Sequence, residues 1–290
     1  MLPNASWSTL LERYQRIEAL GFDLAGMADH FVDWTNPPSP WFELWTLAGA
    51  VAASTSRLRL STCVAQIPLR DPAMFARQAL SAEHISRGRI ELGLGLGLTS
   101  DPSYAMMGIP NWDNKERVAR FGEYVEIVDQ LLSNEVTSYE GKFYRIEGAV
   151  MNPRPLQTPR PPIMIAAMGP VMLKMAARHA DIWNSLSFAD AFDEQMEQTR
   201  DRIARIDDHC TTIGRDPQSL RRSYLMFDAR ARHSGGMMRC YESESIFSDM
   251  VQRVLELGIT DIGMYYPMRD EQLPMFEKIA TEVIPALRRR

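Results

Sequence analysis

The sequence has little cysteine: three residues, Cys63, Cys210 and Cys240, are spread over 290 positions. They form neither Cys-x-x-Cys pairs nor a compact disulfide framework, which argues against a stapled secreted module and for reduced thiols. Long apolar runs are missing as well. No stretch approaches the roughly 20 residues that cross a bilayer, and MLPNASWSTLLERYQ has neither the basic flank nor the apolar core of a signal peptide. The expectation is a cytoplasmic protein with no membrane partner. There is no excess of positive charge: 32 Lys and Arg face 37 Asp and Glu, a net charge of -5, so nothing electrostatic points to nucleic acid. Also absent are a His-Glu-x-x-His pair, a metal-spaced His/Asp cluster, a Gly-x-Ser-x-Gly elbow and a Walker loop, so hydrolytic and metal-assisted chemistry lose ground. Methionine is plentiful at 18 residues, read first as irregular core filling.

What is present is alternation. Short apolar or β-branched runs at 22–28, 58–64, 89–93, 163–167, 181–185, 223–229 and 260–266 read as strands. Amphipathic stretches separate them; in the first, Leu10, Tyr14, Ile17 and Leu20 share one face and Gly21 supplies the stop. Further helices are expected at 41–54, 72–86, 114–132, 170–180, 189–213, 243–257 and 270–287. Repeated strand-helix units in one chain of this length, 45% hydrophobic, predict an α/β fold, a (β/α)8 barrel in a single domain over 1–290. Eight helices meet only seven strands, so the first strand is expected to be truncated or missing, with only MLPNAS before the first helix. Residues 135–162 break the alternation with aromatic, turn-bounded runs and then NPRPLQTPRPP, read as a small hairpin excursion and an extended connector.

In such a barrel, side chains at the C-terminal ends of strands face the active site. Asp29 and His30 close the first readable strand, where an imidazole exchanges protons near neutral pH. The competing reading is a turn aspartate and a satisfied strand-end histidine; the position favours function. The next strand runs into STCVAQIPLRDP, by composition an ordinary loop. The third ends in GLGLGL, 93–98, whose Gly95 and Gly97 remove side chains where backbone must approach a ring or phosphate, although the spacing is not the dinucleotide fingerprint. In AAMGPVMLK a strand meets Gly169-Pro170 and a helix begins at once, so the N–H groups of Val171 and Met172 could hold an anion; an ordinary turn with proline at the first helical position remains equally open. Aromatics Trp34, Trp41, Phe42 and Tyr104 suit an apolar small-molecule substrate.

ALGFDLAGMADHFVDW, RLRLSTCVAQIPLRDPAMFARQALSAEHISRGRIELGLGLG, RVARFGEYVEIVDQLLSNEVTSYEGKFY and NPRPLQTPRPPIMIAAMGPVMLKMAARHADIWN, in that order, resemble the luciferase-like flavin-dependent oxidoreductases. The resemblance implies a flavin in the barrel mouth, Asp29 and His30 as the active-site pair, and Trp34 as the substrate-facing aromatic of the F420 branch. It implies a cis non-prolyl peptide at Cys63-Val64, with Thr62, Cys63 and Val64 backing the ring, and a phosphate-binding turn at Gly169, Pro170, Val171 and Met172. A homodimer is among the implied assemblies. In the segment LTSDPSYAMMG the glutamate of many relatives is missing, and Asp101 is only a loose substitute. AAMGP together with Asp-His-Phe-x-x-Trp favours coenzyme F420 and hydride transfer. The alternative is FMN, with oxygen chemistry and a separate flavin reductase. A non-catalytic barrel remnant and a doubly wound NAD(P)H dehydrogenase are the remaining alternatives.

Overall fold

The computed structural model describes Met1–Arg289, and the chain divides into two compact units. The N-terminal unit comprises Pro3–Gln15 and Asp23–Ala166. It takes most of helix α1 (Trp7–Ala19), then β1 (Leu24–Met27), α2 (Leu44–Ser54), β2 (Arg59–Thr62), β3 (Ala65–Gln66), α3 (Pro72–Ser86) and β4 (Ile90–Gly95). After these come α4 (Ser103–Met107), α5 (Asn114–Ser133), β5 (Val136–Glu140), β6 (Arg145–Val150) and β7 (Ile163–Ala166). The strands pair in parallel in the order β1-β2-β4-β7, and β3 adds to β4 with Gln66 opposite Gly95. Every residue of β4 is buried, as expected of a parallel strand covered on both faces.

Local chemistry sets the helix starts. Asp71 caps α3 by accepting from Ala73 N, with Pro72 at the first helical position, and Asp113 caps α5 by accepting from Glu116 N. A cis peptide joins Cys63 to Val64 between β2 and β3, where the family resemblance placed it. β5 and β6 form the antiparallel hairpin expected in the excursion. Its turn is pinned to α5: the Glu123 carboxylate accepts the backbone N–H groups of Lys142, Phe143 and Tyr144 at 2.9, 2.9 and 3.2 Å.

The C-terminal unit comprises Met1–Leu2, Arg16–Phe22 and the chain from Ala167 onward. It carries α6 (Pro170–His179), β8 (Ile182–Ser185), α7 (Phe192–Thr212), β9 (Arg221–Met226), α8 (Ala229–Ser234), α9 (Glu244–Leu255) and β10 (Asp261–Met264). β8-β9-β10 are parallel neighbours. One helix was expected over 270–287; instead α10 (Leu273–Lys278), a π-turn at Ile279–Val283 and α11 (Ile284–Leu287) follow one another. Pro285 offers no N–H, so a regular ladder cannot run through it. All seven strands expected from the pattern are found, and none precedes α1 among the described residues. No helix among them is long and apolar enough to cross a membrane.

Candidate active site

His30 lies just beyond β1, and its imidazole is only partly covered, with 18% of the side chain exposed. Its Nδ1 sits 2.6 Å from Oδ2 of Asp101, in the segment after β4. Burial alone would push the Asp101 carboxyl up, but hydrogen bonds from His30 and from Ser103 outweigh it and hold the group down at about 2. An ionised carboxylate only accepts, so Nδ1 must donate. In the neutral ring Nε2 therefore carries the lone pair, and no described residue occupies it: the free nitrogen is the one able to exchange a proton. Trp34 stacks parallel to the imidazole at 6.3 Å between ring centroids, and Trp41 meets it edge-on at 5.7 Å. The segment after β4 is tied to the end of β1 a second time, through Phe31 N donating to Ser103 Oγ.

Asp29, read from the sequence as the acidic member of the pair, does not touch His30. It is 2% exposed and accepts from both guanidinium nitrogens of Arg70 and from Gln66 N at 3.0 Å. A buried bidentate pair of this kind fixes strand ends, so Asp29 positions the loop while Asp101 serves the histidine. From the sequence Asp101 is only a loose substitute for an expected glutamate; it lies 71 residues from His30, and the fold alone brings the two into contact.

Gln66 connects the two carboxylates. Its amide nitrogen donates to the Asp29 carbonyl and, at 3.1 Å, to Asp101 Oδ2, while its amide oxygen accepts from the Tyr104 hydroxyl. Tyr104 has no exposed surface and Arg117 lies over its ring at 4.6 Å. It was expected to touch substrate; full burial and a committed hydroxyl place it behind His30 instead.

The glycines expected to admit a cofactor are explained by the protein's own packing. A Cβ on Gly95 would stand 2.4 Å from Val64 Cγ2. One on Gly97, whose φ is +72°, would stand 2.2 Å from the Tyr104 hydroxyl and 2.3 Å from Gln66 Oε1. Thr62 is buried with its hydroxyl donated to Gly93 O at 2.7 Å, whereas Cys63 and Val64 keep partial exposure.

In the C-terminal unit, Gly169 precedes α6 with no side-chain cap, Pro170 starts the helix, and the first turn has no acid. Gly169, Pro170 and Val171 are exposed while Met172 is buried. Uncapped N–H groups at a helix start suit an anion. In the N-terminal unit the buried Trp41 Nε1 has no hydrogen-bond partner. Buried donors are almost always satisfied, so a carbonyl-bearing ring is a chemical match for it. Taken separately, the α6 start suits an anion such as a phosphate and the Trp41 donor suits a ring carbonyl, the two kinds of group that a flavin-type cofactor carries.

A strand-end imidazole in contact with an aspartate, beside aromatic rings on a parallel β/α chain, has the chemistry to exchange a proton and lies at the strand end where β/α barrel enzymes carry their sites. The luciferase-like monooxygenase family model matches residues 1–231, and the chain belongs to that family of oxidoreductases. The F420-dependent glucose-6-phosphate dehydrogenase of Intrasporangium calvum is 26% identical over 96% of this chain and 94% of its own length. A solved F420-dependent secondary alcohol dehydrogenase in complex with an F420-acetone adduct matches at a TM-score of 0.82 and 18% identity, over 98% of this chain and 96% of that one. A monooxygenase from Streptomyces bottropensis matches at 0.77 and 22% identity, over 98% and 95%. The fold is thus that of the luciferase-like β/α barrels, with no strand before α1 among the described residues.

Proposed function

We propose that this chain is an F420-dependent oxidoreductase that moves a hydride between the deazaflavin and a small organic substrate. The observation that carries the reading is the 2.6 Å contact between His30 Nδ1 and an ionised Asp101, which leaves Nε2 to exchange the proton that must accompany the hydride. F420 is named in both the sequence relative from Intrasporangium calvum and the alcohol dehydrogenase structure, which supports the choice of cofactor. When bound, the deazaflavin supplies the hydride acceptor or donor. His30 takes the proton from a substrate hydroxyl, or returns it to a carbonyl oxygen. Trp34 and Trp41 flank the imidazole and exclude water. Val171 and Met172 N–H would serve a phosphate, and Thr62, Cys63 and Val64 would lie behind a flavin ring, each within its own unit. We propose a homodimer as the working assembly, which analytical ultracentrifugation checks.

The test is a parallel titration with F420 and FMN, oxidised and reduced, followed by tryptophan fluorescence, then turnover with alcohols and carbonyls. Tight F420 and weak FMN binding supports hydride transfer. The reverse would favour an oxygen-using enzyme that needs a separate flavin reductase, and binding of neither sinks the catalytic reading. His30→Ala is expected to abolish turnover with cofactor affinity kept within about tenfold, since the side chain works on the proton and not on the phosphate anchor.

A further inference from the structure

One group of buried polar side chains behind His30 has a direction that chemistry forces. Arg117 is fully buried and can only donate; its Nη1 reaches Leu96 O at 2.7 Å and the Tyr104 hydroxyl at 3.2 Å. The Tyr104 oxygen therefore accepts, and its own hydrogen goes to Gln66 Oε1. That fixes which end of the Gln66 amide is oxygen. Its nitrogen must face Asp29 O and Asp101 Oδ2, both of which only accept. The same nitrogen lies 3.0 Å from His30 Nδ1, but its two hydrogens are already committed, so it cannot donate there. Nδ1 is left with one option, donation to Asp101.

An independent observation marks the same point. The space a side chain at Gly97 would need is filled by Tyr104 Oη, Gln66 Oε1 and, at 3.0 Å, Arg117 Nη1. Gly97 adopts a positive φ and carries no Cβ where these three groups converge. Burial keeps the phenol protonated, since it raises the Tyr104 pKa against the lowering effect of Arg117.

We propose that Gln66, oriented by Tyr104 and Arg117, is a positioning residue that holds Asp101 in place and thereby fixes the His30 tautomer with its free nitrogen at Nε2. With Gln66 reversed, its amide oxygen would face Asp101 and the lone pair of Asp29 O, and the carboxylate would be driven off the imidazole. The catalytic consequence rests on the hydride-transfer reading; the tautomer does not.

The experiment uses the full chain labelled with ¹⁵N-histidine, free of cofactor, and reads the His30 ring nitrogens by NMR. Wild type should show one neutral tautomer, protonated at Nδ1. Tyr104→Phe keeps the ring under Arg117 and removes only the hydroxyl; it should give mixed tautomers in a chain that still folds, with a melting temperature lowered by only a few degrees. Gln66→Met, of similar length without the amide, should do the same. With F420 bound, kcat in Tyr104→Phe should fall roughly 10- to 100-fold, the scale of a slight misplacement of a catalytic group, while KM and cofactor Kd hold. In an Asp101→Asn background the Tyr104→Phe change should add nothing, because both act through one contact. An unchanged tautomer in both variants overturns the inference, as does a multiplicative loss in the double variant. If F420 neither binds nor turns over, the functional reading fails and the NMR result still decides this one.

Discussion

At the scale of single residues the decisive fact is which acid serves the histidine. Asp29 is adjacent in sequence and Asp101 is in contact. The Asp101 carboxyl falls from an ordinary 3.8 to about 2. A depressed folded value contributes stability that is present above the unfolded value and disappears as pH falls from about 4 through 2, on the order of 2 kcal/mol for a group 3% exposed. Urea unfolding of wild type at pH 5 and pH 2.5 should show a larger loss than Asp101→Asn does over the same interval; equal losses would refute the assignment. Asp29 predicts differently. Arg70→Met strands a buried carboxylate and should cost about 3 to 5 kcal/mol in the same measurement. His30 was legible from its place at a strand end. Gln66 and Arg117 were not, and Tyr104 was read as a substrate aromatic, because a buried polar network has no local signature until the chain brings its atoms together.

At the scale of elements, a helix start and a hairpin turn carry opposite lessons. The start of α6 has no cap and nothing within 4 Å of a Cβ placed on Gly169, whose φ is -86°. Gly169→Asp should therefore fit, satisfy first-turn N–H groups and stabilise the protein by about 0.5 to 1 kcal/mol. If that turn anchors phosphate, the same carboxylate should weaken F420 binding more than tenfold by occupying and repelling, an estimate from one unfavourable charge contact of about 1.4 kcal/mol or more. Stabilisation with unchanged Kd would remove the turn from the cofactor site. At the turn of the hairpin, by contrast, one carboxylate accepts three backbone N–H groups. Glu123→Ala removes the two oxygens that accept from three N–H groups and should lower hydrogen-exchange protection of Lys142, Phe143 and Tyr144 by about 2 kcal/mol, with the helix α5 little affected. The hairpin was legible from its aromatic and turn residues. Its tether was not, since Glu123 lies on an ordinary amphipathic helix.

At the scale of the whole molecule, a ligand that binds only the folded chain must stabilise it. F420 at 100 times its Kd should add about 2.7 kcal/mol to unfolding, and FMN at the same concentration much less; parity between them would count against the deazaflavin reading. The alternation of apolar runs and amphipathic stretches determined the fold class by itself, because short continuous apolar runs and stretches of period 3.6 leave their mark locally and every strand-helix unit repeats the message. The strand-end position of His30 and the uncapped Gly169-Pro170 turn were determined in the same way. Only the tertiary structure decided that Asp101 and not Asp29 holds the imidazole, that Tyr104 stands behind the site, and that Gly97 leaves room for a hydrogen-bond junction. The first two outcomes depend on contacts between residues 38 and 71 positions apart, and the parallel order of β1, β2 and β4 sets such distances while no short window of sequence contains them.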